Sequence, residues 1–305
     1  MLRMLLLIFA GLLITSSLVK AQNDEIEKKE NEWGNRWDME FWEPDLVIKF
    51  DRPVIELNYA ITQNDIYENF GSKFSEDGLA EIRLGFKDKY QLDTLNPIFK
   101  FNFGGLLLSN ITNKMAVESA DNREIKVDMW RLGFFSNDGF GYGVRSSVAL
   151  NLYHGGSIFW TSFDYKGLPD GSLTTPADSA DKLRLERYSE GIRYADSFEA
   201  GMNIVIANSV SINAAYERGV LYERYIFWYW AGNVLIEEIA HALTDSFINE
   251  IRKASPMAVP VVNFVLKNAL SYGIYELKKS KMNWPFNSAS PYMINNFKLG
   301  VQVLF

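Results

Sequence analysis

Asn296-Phe297-Lys298-Leu299-Gly300-Val301-Gln302-Val303-Leu304-Phe305 stands at the end of the sequence, and its pattern points to the fold. Phe297, Leu299, Val301, Val303 and Phe305 are all apolar, whereas Lys298, Gly300 and Gln302 between them are charged, small or polar. Successive side chains of a strand point to opposite faces, so this period of two gives an extended segment one apolar and one polar side. A helix would need a period of 3.6.

The same period recurs upstream. Ile55, Leu57, Tyr59 and Ile61 alternate with Glu56, Asn58 and Thr62; Ala80, Ile82, Leu84 and Phe86 with Glu81, Arg83, Gly85 and Lys87. Phe99, Phe101 and Phe103 alternate with Lys100, Asn102 and Gly104, and Phe140, Tyr142, Val144, Val148, Leu150 and Leu152 continue the series. Phe198, Ala200, Met202, Ile204 and Ile206 flank Glu199, Gly201 and Asn203, and Val210, Ile212 and Ala214 flank Ser211 and Asn213. Between Ile125 and Phe134 the phase changes, which predicts a bulge near Met129–Trp130. Ser136-Asn137-Asp138-Gly139 and Asn208-Ser209 read as tight turns, and longer polar connections are expected over 63–78, 109–124 and 166–182.

Two kinds of sheet produce such a pattern: a soluble sandwich with one wet face, or a membrane barrel with its apolar face outward. Gly85, Gly104, Gly141, Gly143, Gly201 and Gly300 fall on the polar side, together with Arg83, Lys87, Lys100 and Arg145. A narrow lumen has least room there, and its charges can pair across it, so the barrel is favoured.

Of 305 residues, 48% are hydrophobic and 14% aromatic; there are two His and no Cys. That excludes disulfides, thiol nucleophiles and a lipoprotein anchor. The net charge is −7 with no basic block, so nucleic acid is not expected as a partner. Arg3, the apolar run Met4–Ile14 and Val19-Lys20-Ala21 read as a secretory signal over 1–21, an uncleaved anchor being the alternative. Its removal takes two cations, Arg3 and Lys20, and leaves −9. No later stretch of 18 apolar residues reads as an ordinary membrane helix.

With the leader and the repeated alternation beside it, the segment ending at Phe305 resembles the C-terminal β-signal of bacterial outer-membrane β-barrel proteins. Phe297, Leu299, Val301, Val303 and Phe305 are the matching positions. The leader's Lys-Ala-Gln resembles export signals of the Bacteroidota. The resemblance implies an all-β, antiparallel transmembrane β-barrel in the outer membrane of a Gram-negative bacterium. It also implies outer-membrane lipid as surroundings and the barrel-assembly machinery as a partner during insertion. About eight to ten strands are expected, with an α-helical hairpin inserted before the last one. Trp130, Trp160, Trp228, Trp230, Tyr153, Tyr165, Tyr225 and Tyr229 are placed near strand ends, at headgroup level.

The organisation expected is a signal (1–21), a periplasmic extension (22–50), barrel strands (51–230), the hairpin (231–281) and a closing strand (282–305). In the extension, Trp33, Trp37 and Phe41 form one aromatic stripe if helical; a disordered leader is the alternative. In the hairpin, Asn233 is expected to cap a helix with the stripe Leu235, Ile239, Leu243, Phe247 and Ile251. Ser255-Pro256 then opens a second helix running to Lys278-Lys279. This hairpin is expected to plug the lumen, sit at the rim or lie along the membrane surface, chain parity favouring the outer rim or the lumen, and it offers a surface for an envelope partner.

Chemistry-bearing constellations are few. Glu237, Glu238 and His241 lack the second Glu-x-x-His a di-metal site needs and read as a solvated helix face. Tyr216-Glu217-Arg218 and Tyr222-Glu223-Arg224 carry charge on both faces and are expected beyond the lipid. Asp164, Asp170, Asp178 and Asp181 have no EF-hand spacing. No catalytic residue, cofactor or metal ligand is assigned. A non-enzymatic envelope component, a docking subunit or small channel, is the reading favoured. The alternatives are a barrel-embedded lipid or lipopolysaccharide hydrolase using His154 and Ser157, and a soluble secreted β-protein.

Overall fold

A computed structural model describes residues 52–67, 70–91, 97–117, 124–145, 148–167, 176–206, 209–224 and 226–305. The leader and the N-terminal extension lie outside the described residues, as do Asp170, Asn208 and Tyr225. Eight strands form the body: β1 (Arg52–Ile66), β2 (Asp77–Gln91), β3 (Ile98–Thr112), β4 (Lys126–Arg145), β5 (Val148–Lys166), β6 (Arg193–Ile206), β7 (Val210–Leu221) and β8 (Tyr292–Leu304). Every neighbour is antiparallel, and β8 returns to pair with β1 through Leu57↔Val301 and Asn58↔Gly300. The sheet is therefore a closed barrel with no free edge.

Connections are short at one end (92–97, 146–147, 207–209) and long at the other (67–76, 113–125, 167–192, 222–291). Helix α1 (Pro176–Ser189) lies in the third long connection, where a loop was expected. The fourth carries α2 (Phe227–Ala254) and α3 (Val259–Lys278), joined by a single 3₁₀ turn at Pro256–Ala258. Helix α2 begins six residues before Asn233, which is buried in its interior and caps nothing.

Strand parity follows the sequence pattern on β1, β2, β5, β6, β7 and β8 and on the Phe140–Val144 end of β4. On β8, Phe297, Leu299, Val301, Val303 and Phe305 are exposed on the outer wall, while Asn296, Lys298 and Gln302 are buried inside. Strand β3 departs from that pattern: Phe99, Phe101 and Phe103 point into the lumen, and Lys100 and Asn102 point out. No bulge occurs at Met129–Trp130, because β4 and β5 stay in register from Lys126↔Lys166 to Gly143↔Ala149. Ile125, Val127 and Met129 instead turn inward, into an apolar cluster at the long-connection end of the lumen. The lumen is thus not polar throughout, which is why local periodicity misassigned both segments.

Ser136-Asn137-Asp138-Gly139 is not a turn. It lies mid-strand in β4, laddered to Gly104–Phe101 on one side and Gly156–Tyr153 on the other. The chain reverses only after Arg145, where β4 ends, and β5 begins at Val148. Asn137 faces the lumen and Asp138 the outside, where α3 covers it. A strand whose two faces both meet polar surroundings has the composition of a turn.

The lid at the long-connection end is aromatic. Phe163, Tyr188 of α1 and Tyr292 meet at centroid separations of 5.0–6.1 Å. Asp181 of α1 accepts hydrogen bonds from the backbone N–H groups of Gly71 and Ser72 at 3.0 and 2.9 Å. Arg187 pairs with Glu223 at 3.0 Å. These contacts tie α1 across the barrel mouth.

Candidate functional site

Two polar assemblies occupy opposite sides of the sheet. Inside, Arg83 grips Glu199 through two bonds of 2.6 and 3.1 Å and lies 2.8 Å from Glu81. Arg131 pairs with Glu81 at 3.1 Å and with Glu217 at 3.4 Å. Lys298 reaches Glu81, Glu199 and Glu217 at 3.0, 2.9 and 2.8 Å. Lys87 joins through Gln302, which in turn donates to Glu56 at 2.6 Å. Four cations (Arg83, Lys87, Arg131, Lys298) face four carboxylates (Glu56, Glu81, Glu199, Glu217), so the network is formally neutral. A buried ionic cluster persists only when its charges are matched and its remaining donors and acceptors are bonded.

Tyr153 lies in this layer, its hydroxyl 2.8 Å from Glu199 and 2.9 Å from Asn213, and not at headgroup level. Gly201 makes room for it, since a Cβ there would fall on the Tyr153 ring. Glu217 was expected beyond the lipid and is instead a central member; its strand parity with Ser211 and Asn213 was the available signal. The void left beside Glu56, Lys87, Tyr153 and Gln302 is about 10 Å³, room for about one water.

Outside, α2 and α3 pack against the outer wall of the barrel, and not at the rim or in the lumen. Helix α3 lies on β4, β5 and β6. At the short-connection end Tyr142 donates to the Met257 carbonyl at 2.7 Å, and Ile98 and Phe140 pack on Ile248 and Val259. At the other end Lys278 lies 2.5 Å from Glu237 and 3.7 Å from Asp196, and Arg218 pairs with Glu276 at 3.1 Å. Midway, Lys267 bridges Asp245 (2.9 Å) and Asp138 (3.4 Å).

Between hairpin and wall is a cavity of about 570 Å³ that brings the two histidines together. Asp138 and His154 are register partners on the wall. His154 and His241 stack at 5.1 Å, with His154 Nδ1 3.2 Å from Asn268 Oδ1 and His241 Nε2 3.5 Å from Ser271 Oγ. Glu237 and His241 therefore line this cavity; the expected solvated face is turned toward the barrel. Among the described residues no group of three or more His, Asp or Glu is placed to hold a metal ion.

His154 and Ser157 do not meet. They are three apart on a strand, hence on opposite faces. Ser157 lies 2.7 Å from Ser197 in the lumen, whereas His154 faces α3.

The geometry defines a class: a closed eight-stranded antiparallel barrel with a filled lumen and a helical hairpin clamped to its outside. No family model matches the sequence, and no curated protein matches it. Among solved structures the chain is similar to Neisserial surface protein A (8% identity, 83% of this chain and 97% of that chain, TM-score 0.38). It is also similar to Ail, the attachment invasion locus protein of Yersinia pestis (8%, 83% and 98%, 0.29). The outer membrane enzyme PagL is a third (8%, 81% and 98%, 0.32).

Proposed function

We propose that this chain is an outer-membrane barrel of a Gram-negative envelope that anchors or docks, and does not conduct. The observation that carries the reading is the pairing of an apolar outer wall with a packed lumen whose ionic layer is matched in charge. Leu57, Leu84, Leu132, Ile212 and Leu299 present large apolar surface outward, a costly arrangement in water and the required one in lipid. Inside, the ionic layer and the aromatic lid fill the lumen among the described residues, which supports a closed barrel, as is usual at eight strands. Phe297 to Phe305, in outward register, fit recognition by the assembly machinery, and segment 231–281 is the surface on which an envelope partner would dock.

Fractionation followed by planar-bilayer recording tests this. The protein is expected in the detergent-extracted outer-membrane fraction with heat-modifiable gel migration and without stable conductance steps. A folded, monodisperse protein in buffer without amphiphile refutes the membrane reading. Regular conductance refutes the closed lumen.

A further inference from the structure

The hairpin is built inside out relative to a water-soluble one. Toward the barrel and the cavity it buries the polar side chains Asn233, Asn263, Lys267, Ser271 and Lys278, beside Ile248, Val259, Pro260 and Tyr275. Its exposed face carries large apolar side chains, with Leu235, Leu243 and Phe247 at 62%, 65% and 58% and Val265 at 53%; Glu238, Ser246 and Asn249 are the polar residues exposed within the same stretch of α2. Of the α2 stripe, Leu235, Ile239, Leu243 and Phe247 point away from the molecule, and Ile251 packs with Ile248 and Val259.

Dimensions agree with a bilayer. Helix α3 has 20 residues, about 30 Å at 1.5 Å each, the thickness of a hydrocarbon core. Contrary to the expectation that no later segment reads as a membrane helix, Pro256–Lys278 is by length and composition long and apolar enough to cross one. On α2, Trp228 and Tyr229 are exposed at the long-connection end, and Glu250, Arg252 and Lys253 at the hairpin turn. Between these aromatic and charged ends lie about 20 residues, the spacing of interfacial anchors.

The barrel supplies the complement. Asp138, His154, Asp196 and Arg218 face outward on strands that otherwise present apolar residues, and they lie where the helices cover them, with Ser136 at the border of the cavity. Uncovered, this polar stripe would meet lipid, where charges and unsatisfied polar groups are unstable.

We infer that α2 and α3 span the membrane beside the barrel, their outward face against acyl chains and their polar face sealed on the wall. This rests on the outer-membrane reading above and extends the lipid belt from strands to helices. The cavity with the two histidines then lies within the plane of the bilayer.

Because the chain has no Cys, single-cysteine variants report without background. Leu243→Cys and Val265→Cys probe the hairpin, Leu132→Cys and Leu299→Cys the barrel belt, and Ser255→Cys the hairpin turn. Each is reconstituted in phosphatidylcholine–phosphatidylglycerol vesicles, scored for folding by heat-modifiable migration, and exposed to an impermeant maleimide. Labelling at 243 and 265 is expected roughly tenfold or more below that of the same protein unfolded in dodecyl sulfate, as at 132 and 299, with 255 reactive. Rapid labelling at 243 and 265 with 132 and 299 protected overturns the inference and leaves the barrel reading intact. Labelling at all four overturns the barrel reading itself. Protection at 243 that is lost on dilution to one copy per vesicle, or a Leu243→Cys disulfide dimer on mild oxidation, makes a second copy the occupant and also overturns the inference.

Discussion

Replacing Lys298 by methionine removes a cation that touches three carboxylates of the lumen at once, at 2.8–3.0 Å and with no exposed surface. Methionine fills much of the same volume, so the change is chiefly electrostatic. The network passes from four against four to three cations against four carboxylates, leaving one unmatched negative charge in a closed lumen. Breaking a buried pair this way costs about 3–5 kcal/mol, or roughly 100- to 4,000-fold in the unfolding equilibrium. Adding Glu217→Gln restores three against three, and Arg131 keeps its 3.1 Å contact with Glu81. The double variant should therefore recover about 1–3 kcal/mol as coupling energy. Urea titration in vesicles, read from the folded and unfolded gel bands, measures both. A loss under about 1 kcal/mol, or strictly additive effects, would refute the neutral-network account.

Gly201→Val drives a side chain into the Tyr153 ring and should destabilise by about 1–3 kcal/mol. Tyr153→Ala in the same chain should relieve that clash, so the two changes combine less than additively in the same titration. Phe163→Ala opens the aromatic lid against Tyr188 and Tyr292, with an expected loss of about 3–5 kcal/mol. Phe305→Ser changes an exposed terminal ring, so the folded protein should lose no more than about 0.5 kcal/mol while its yield in the outer membrane of living cells drops. Equal losses in refolding stability and cellular yield would argue against an assembly role. His154→Ala should leave any lipid-modifying activity of the membrane fraction unchanged, because Ser157 faces away from it; a specific loss would reopen the hydrolase alternative.

Much of this architecture was legible one segment at a time. Alternation named the outward residues of β1, β2, β5, β6, β7 and β8, and the 3.6 period found both helices of the hairpin. Errors gathered where a face meets unusual company. Phe99, Phe101 and Phe103 read as lipid-facing because an apolar side of a strand looks the same whether it meets acyl chains or an aromatic interior. Ser136 to Gly139 read as a turn because both its faces are polar. Asn137 points toward Glu199 and Asp138 toward Lys267, partners 62 and 129 positions along the chain. The hairpin's apolar stripe was visible, but nothing local says whether such a stripe packs on protein or on lipid.

Periodicity is a property of adjacent residues, so the chain alone specified strands, helices, parity and a sheet with an apolar exterior. Which polar residues find one another depends on closure of the barrel and on where a distant hairpin lands. The eight-charge lumen joins β1, β2, β4, β6, β7 and β8, and the His154–His241 stack joins a strand to a helix 87 positions later. Such pairings exist only once the sheet has curled shut and the helices have docked, because Coulombic and hydrogen-bond partners are chosen by distance in space and not along the backbone.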